Sequence, residues 1–331
     1  MASSKKGTEE TVHKIGKSTP WAGEKLVGRR EHTGDMLSSH PDSRKLLKAL
    51  LDEEELILAP GAYDALGARL VEAGGFSAVY MTGFGTAASL LGRPDVGLLG
   101  LSEMVDNARR IAQSVGVPVI ADADTGYGNS INVIRAVREY ERAGVAAIHI
   151  EDQVAPKRCG HITGKQVIPA QEMTAKIKAA VEACSSSDFL IIARTDARAV
   201  EGLERSLDRA RLYREAGADV LFVEAPETKA EIATVARAFP NVPLLFNWIE
   251  GGRTPSITYE ELKRLGYRIV IFPVSILLSA TQAIHDVLET IRSSGTPEAF
   301  ANRLTPFRDF LEFIGLPEVT ALEQRFKETT G

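Results

Sequence analysis

The 331-residue chain holds two cysteines, Cys159 and Cys184, too few for a disulfide framework, so the expected setting is a reducing compartment, the cytoplasm. It has no apolar run approaching a membrane span, and no membrane association is expected. It also lacks a basic excess: 39 Lys and Arg stand against 44 Asp and Glu, a net charge of −5, which argues against a nucleic-acid partner. No Cys/His spacing suggests zinc, and no glycine-rich loop of the Walker type is present. Residues 1–40 have no apolar signal region and carry Glu9, Glu10, Glu24, Glu31 and Asp35, which argues against a transit peptide; they read as a flexible arm or as an extension packed on a partner subunit. What is abundant is ordinary: 44% hydrophobic and 25% charged residues describe a soluble globular chain able to bury a full core.

From residue 41 onward the chain has a period. Four segments share a helix that ends in glycine, followed closely by a short apolar strand, with the glycines at Gly74, Gly144, Gly217 and Gly266. Further apolar runs lie at 56–59, 117–121, 190–193 and 243–246, which makes eight candidate strands. Near-continuous apolar strands alternate with amphipathic stretches such as 133–143, 203–216 and 229–239, the pattern of a parallel sheet covered by helices. Eight such units predict a (β/α)₈ TIM-type barrel over residues 41–331, C-terminal helices included; an open doubly wound sheet is the alternative.

A barrel places its chemistry just after each strand, and polar groups are concentrated there. Pro60-Gly61-Ala62-Tyr63-Asp64, Thr82-Gly83-Phe84, Asp122-Ala123-Asp124, Glu151-Asp152, Arg194-Thr195-Asp196, Glu224, Asn247 and Pro273-Val274-Ser275 each follow an apolar run. Asp122 and Asp124 share one face of an extended strand, and Glu151 closes its neighbour. Three carboxylates at one rim repel unless a cation holds them, and hard oxygen donors suit Mg²⁺ or Mn²⁺. Asp95 adds a further acid, although Gly92-Arg93-Pro94-Asp95 also reads as a turn. The alternative for the acids is helix capping by Asp124 and a surface pair at Glu151-Asp152.

The loop Lys157-Arg158-Cys159-Gly160-His161 sets one thiol among three potentially cationic side chains. A free thiol has a pKa of roughly 8.5, and such neighbours favour its thiolate. The plain alternative is a small buried hydrophobe beside surface charges.

Taken together, Pro60-Gly61-Ala62-Tyr63-Asp64-Ala65-Leu66, Tyr80-Met81-Thr82-Gly83, Asp122-Ala123-Asp124-Thr125-Gly126-Tyr127-Gly128, His149-Ile150-Glu151-Asp152-Gln153, the cysteine loop, Ala193-Arg194-Thr195-Asp196 and Asn247 resemble the isocitrate lyase/phosphoenolpyruvate mutase superfamily. The resemblance spans roughly residues 42–330. It implies a barrel, a homotetramer whose eighth barrel helix, about 276–291, is exchanged between paired subunits, and a Mg²⁺-bound 2-oxo or 2-hydroxy acid substrate. It implies cleavage of a 2-hydroxy dicarboxylate to pyruvate and a second carboxylate, with Cys159 on a mobile lid as the proton donor. Lys157, Arg158, His161 and Arg194 would balance developing negative charge, helped by backbone amides at Thr82-Gly83 and Cys159-Gly160. Glu224 and Asn247 would orient the departing carboxylate, Phe84 and Pro273 would line the site, and Tyr80 or a metal-bound water would take the hydroxyl proton.

Subfamily patterns bear on the substrate. Oxaloacetate hydrolases of this family place a serine at the position of Pro273, and methylisocitrate lyases carry an arginine near Leu278, so the expected activity is 2,3-dimethylmalate lyase-like, with 2-methylisocitrate lyase next. A phosphorylmutase acting on carboxyphosphonoenolpyruvate, an oxaloacetate hydrolase and a non-enzymatic metabolite-binding barrel remain alternatives. His285 reads as a helix-face or interface residue, Cys184 as a buried or loop thiol, Trp248 as a pocket wall or packing residue, and residues 307–326 as amphipathic helices at a subunit contact.

Overall fold

Eight apolar runs become eight parallel strands. The computed structural model describes residues 42–53, 55–160 and 163–327. The strands are β1 Ile57–Ala62, β2 Val79–Met81, β3 Val119–Asp122, β4 Ala147–Glu151, β5 Leu190–Thr195, β6 Val220–Val223, β7 Leu245–Asn247 and β8 Ile269–Phe272. The helices are α1 Ser43–Asp52, α2 Ala65–Ala73, α3 Gly83–Leu91, α4 Leu101–Ser114, α5 Ser130–Ala143, α6 Ala170–Ala183, α7 Arg198–Glu201, α8 Leu203–Glu215, α9 Lys229–Ala238, α10 Tyr259–Leu265, α11 Ser275–Ser294, α12 Phe307–Phe313 and α13 Leu316–Lys327. The order β6-β5-β4-β3-β2-β1-β8-β7 is sequential around a ring, and a parallel bridge from Leu221 to Leu244 joins its two ends. This is the expected (β/α)₈ barrel rather than an open doubly wound sheet.

The period of two along each strand sorts the core into two parts. Inward residues including Ile57, Tyr80, Ile120, Ala147, Ile192, Phe222, Leu245 and Ile271 fill the barrel, and Leu47 of α1 plugs it from below. Outward residues including Val79, Ile148, Ile150, Ile191 and Leu221 pack under the helices. Two steps above an apolar inward residue the next inward residue is polar at most strands, with Thr82 above Tyr80, Asp122 above Ile120, Arg194 above Ile192 and Glu224 above Phe222. The same step leads from His149 to Glu151 and from Leu245 to Asn247. One strand periodicity therefore builds both the apolar plug and the charged rim.

Glycine ends the helices, with a shift of one residue at two of them. Gly144 and Gly266 are left-handed caps at φ 93° and 90°, whereas after α2 the left-handed residue is Gly75 rather than Gly74. Several polar residues at strand ends also cap the helix that follows. The Asp64 carboxylate accepts the Gly67 N–H at 2.6 Å at the start of α2, and the Thr82 hydroxyl accepts the Gly85 N–H at 3.1 Å at the start of α3.

The barrel unit runs to Leu304, and residues 305–327 belong to a second unit whose two helices, α12 and α13, are the amphipathic tail segments expected from the sequence. The call on residues 1–40 lies outside the described residues.

Glu151 and Asp152, adjacent in sequence, face opposite sides of the barrel wall, and neither is at the surface. Asp152 accepts hydrogen bonds from the Thr195 hydroxyl (2.7 Å), the Asp196 N–H (2.9 Å) and the Tyr213 hydroxyl (2.8 Å), with Arg209 at 3.3 Å. It ties β4 to β5 and α8. Removing a buried hub of this kind strands several donors, so Asp152→Ala is expected to lower unfolding stability by about 3 kcal/mol in urea titrations monitored by circular dichroism.

Candidate active site

The rim above the apolar plug gathers charge. Asp95, Asp122, Asp124, Glu151, Asp196 and Glu224 are all buried there, together with Lys157, Lys165 and Arg194. Six carboxylates thus meet three cationic side chains among the described residues.

Arg194 is the centre of this cluster. Its Nε donates to Asp196 Oδ2 at 2.9 Å and its Nη2 to Asp196 Oδ1 at 3.2 Å; Nη1 lies 3.1 Å from Glu151 Oε2 and Nη2 3.6 Å from Glu224 Oε1. Its Cζ sits 5.1 Å above the Phe222 ring, a cation–π contact. Burial works against its charge, but the charges of Asp196, Glu151 and Glu224 hold it well above the usual guanidinium range. Burial opposes ionisation of Asp196 too, and Arg194 and Lys165 outweigh it, keeping that carboxyl low.

Lys157 forms a second centre. Its ammonium lies 2.5 Å from Asp95 Oδ2 and 2.8 Å from Asp124 Oδ1. Burial works against its charge, but Asp124, Asp122, Glu151 and Asp95 hold it well above the ordinary lysine range. Lys157 therefore anchors the cysteine loop to the acids.

The acids divide in behaviour. For Asp122, burial is offset by Lys157, Arg194 and the Asp124 N–H (2.9 Å), which together hold its carboxyl low. For Asp124, burial prevails and pushes it up to about 6. Glu151 is raised well above its usual range, mainly by burial, and its Oε1 is buried with no hydrogen-bond partner. Asp124 does not share a strand face with Asp122, because β3 ends at Asp122 and Asp124 is left-handed at φ 47°. That turn aims its carboxylate at Lys157 instead. Ala225, just after Glu224, is left-handed as well, at φ 55°, so two rim positions carry backbone strain.

Tyr80 lies beneath this layer, its hydroxyl 2.9 Å from His149 Nε2. Burial and Asp122 raise the phenol well above its usual range, while burial lowers His149 to about 4, so both are neutral near pH 7. This argues against Tyr80 as a base, because its phenolate would be buried beside Asp122.

A cavity of about 30 Å³ remains between these groups. Tyr80, Asp95, Asp122, Lys157, Arg194, Glu224 and Asn247 form its polar wall, Thr82, Cys159 and Gly160 border it, and Phe84, Ile249, Ile271, Pro273 and Val274 form its apolar side. The Asn247 amide donates to Glu224 at 3.1 Å and 3.3 Å, leaving its own Oδ1 buried without a partner. Two glycines permit the packing. A Cβ at Gly83 would stand 2.3 Å from Asp122 Oδ2, and one at Gly160 would stand 2.0 Å from Glu224 Oε1 and 2.5 Å from Arg194 Nη2.

The expected residues do not all converge. Arg158 is exposed and absent from the cavity wall; its backbone is clasped by the Gln153 side chain, which accepts its N–H at 3.0 Å and donates to its carbonyl at 2.8 Å. His161 lies outside the described residues. Leu278 is 48% exposed on α11 and does not line the cavity. Trp248 packs against Phe246 and Phe272 outside the lining, and Cys184, half-buried after α6, has its thiol pushed up to about 12 by burial. Sequence reasoning missed Lys165, a lone lysine with no motif around it, and the apolar wall residues Ile249 and Val274, whose only signal was their place just beyond a strand.

Comparison with known proteins places the chain in a family. The family described as phosphoenolpyruvate phosphomutase matches residues 47–292. The 2,3-dimethylmalate lyase of Eubacterium barkeri is 45% identical over 280 residues, covering 85% of this chain and 96% of that protein. A 2-methylisocitrate lyase of Aeropyrum pernix is 46% identical over 270 residues, covering 82% and 86%. Among solved structures, an oxaloacetate acetylhydrolase in complex with 3,3-difluorooxalacetate superimposes with a TM-score of 0.82 at 43% identity, covering 87% of this chain and 99% of that one. The chain belongs to the phosphoenolpyruvate mutase/isocitrate lyase superfamily.

Proposed function

We propose that this protein is a carbon–carbon lyase that cleaves a 2-hydroxy dicarboxylate to pyruvate and a second carboxylate, in the manner of 2,3-dimethylmalate lyase. The observation that carries this reading is that Cys159 lines one cavity together with Arg194, Asn247 and Glu224. A thiol and a guanidinium in the same cavity suit a reaction in which negative charge develops on a carboxylate-bearing carbon and is quenched by a proton.

Arg194 meets the substrate carboxylate with a rigid fork already oriented by Asp196. The Asn247 amide, held by Glu224, positions the departing half. The C2–C3 bond breaks and its electron pair goes to the half that leaves; a rim carboxylate takes the C2 hydroxyl proton as the carbonyl forms, the Cys159 S–H gives its proton to C3, and the carboxylate's proton returns through solvent to the Cys159 thiolate before the next turnover. Tyr80 stays protonated throughout and serves as a fixed dipole. Cys159 and Gly160 border the cavity, and in this proposal their segment moves away to let substrate in.

A divalent cation fits the donor set. The partnerless Glu151 Oε1 is a buried oxygen in need of a positive partner, on a rim with six carboxyl groups. Among the described residues no three His, Cys, Asp or Glu side chains close on one point, so the three-carboxylate centre expected from the sequence is not assembled in this chain. Asp122, with Asp124, Glu151 and Asp95 around it, would hold the ion. When bound, it would supply Lewis acidity to the 2-hydroxy acid.

The apolar wall favours a small substrate. Phe84, Ile249, Pro273 and Val274 offer no partner to a third carboxylate, which supports dimethylmalate over methylisocitrate, and Pro273 presents no hydroxyl where the family's oxaloacetate hydrolases have serine. The 46% identity to a 2-methylisocitrate lyase keeps that activity as the second reading. Assembly as a homotetramer through exchange of α11 belongs to the same proposal. This 20-residue helix buries none of its residues in its own chain, and Ile284, Leu288 and Ile291 are 40–58% exposed along it. The proposed compartment is the cytoplasm, where both thiols stay reduced. Among the described residues no helix is long and apolar enough to cross a membrane.

Purified protein with Mg²⁺ is expected to release pyruvate from 2,3-dimethylmalate, read by coupling to lactate dehydrogenase, with slower or no turnover of methylisocitrate, oxaloacetate and phosphonopyruvate. Cys159→Ser and Asp122→Asn should each lower kcat by about 10²-fold or more. EDTA should abolish turnover and added Mg²⁺ or Mn²⁺ restore it; full activity in Cys159→Ser would end the reading, and binding of the acids without turnover would leave a metabolite-binding barrel. Leu288→Glu is expected to shift the assembly to smaller species in light scattering coupled to size exclusion.

A further inference from the structure

Lys165 has no part in the chemistry described above, yet it is a buried ammonium placed between the cysteine loop and the barrel. Its Nζ lies 2.7 Å from Asp196 Oδ1, and it also donates to the carbonyl of Gly160, the residue that follows Cys159. Lys165 is 8% exposed and Asp196 is fully buried. Asp196 is the carboxylate that orients Arg194 through two hydrogen bonds, and its own N–H is fixed to Asp152. One ammonium therefore connects the loop backbone to the group that aims the substrate-facing guanidinium.

Among the described residues the loop is attached on both sides of the cysteine, on the later side by a backbone bridge in which the Val154 N–H donates to the Gln166 carbonyl at 2.9 Å and Gln153 pairs with Val167. Lys157 reaches Asp95 and Asp124, and the Gln153 amide clasps Arg158. Beyond Cys159, Gly160 sits so close to Glu224 and Arg194 that no side chain fits, a contact that supplies shape but little attraction. The Lys165 bond pulls that peptide onto the rim. A compact ammonium with three rotatable donors can serve the carbonyl and the carboxylate at once, which a planar guanidinium at the same depth cannot do as readily.

We propose that Lys165 is a positioning residue for catalysis: it seats Gly160, and with it Cys159, against Arg194, so that proton donor and carboxylate binder are aligned together. The proposal rests on the lyase reading for its kinetic arm only. The second arm, the reactivity of the Cys159 thiol, needs no substrate.

The test compares Lys165→Met and Lys165→Gln with the full-length parent. In peptide-resolved mass spectrometry after N-ethylmaleimide, Cys159 should alkylate about tenfold faster in Lys165→Met, because the loop opens more often, and by an intermediate factor in Lys165→Gln, which keeps one donor. With the substrate that the parent turns over, kcat should fall about 10- to 100-fold while KM changes less than threefold, the signature of misalignment rather than lost binding. Alkylation within twofold of the parent in a folded variant overturns the proposal, as does a variant with unchanged kcat. If neither variant folds, Lys165 is a residue of the fold and the proposal falls. If the parent turns over none of the acids, the lyase reading fails, and the alkylation arm still decides the placement of the loop.

Discussion

The guanidinium of Arg194 is the constraint on which the top of the barrel depends. It stands between Asp196, Glu151 and Glu224, carboxylates supplied by or just beyond the ends of β4, β5 and β6. Without it those acids would be buried like charges, each needing a proton or a path to water, and the ends of three strands would be pushed apart. With it they become a fixed frame, which is the preorganisation that binding a carboxylate requires. Phe222 beneath the guanidinium excludes water from below and strengthens each of these interactions.

The same logic extends through the two lysines. Lys157 neutralises Asp95 and Asp124 from one end of the cysteine loop, and Lys165 meets Asp196 from beyond the other. The loop is thus held by the charge imbalance of the barrel rim, so its placement and the electrostatics of the site are one property. Strain appears at the same level, in the left-handed Asp124 and Ala225, where the chain turns out of β3 and β6 while still presenting its side chains inward.

Much of this was legible in the residues. The eight apolar runs, their spacing and the glycines between helix and strand led directly to the barrel, because a parallel sheet covered on both faces needs such runs and because helices end where a left-handed residue is cheap. The acids Asp122, Glu151 and Glu224 and the base Arg194 were readable as one group because each follows an apolar run at a strand end. The pairing of Lys157 with Asp95, 62 residues earlier, was not. Leu278 was misplaced: its spacing from Pro273 put it near the site, but α11 carries it to an exposed face.

Period and composition, which are local, were thus enough to determine the fold and the strand-end location of the charged rim, because helix and strand periodicities are set by the backbone itself. Which charges pair, which phenol keeps its proton and which lysine holds the cysteine loop were decided only by tertiary structure. Those properties depend on distance and on exclusion of water, and both are set by residues far apart in the chain: Tyr80 by His149 of β4, Asp152 by Tyr213 of α8, and Gly160 by Glu224 beyond β6.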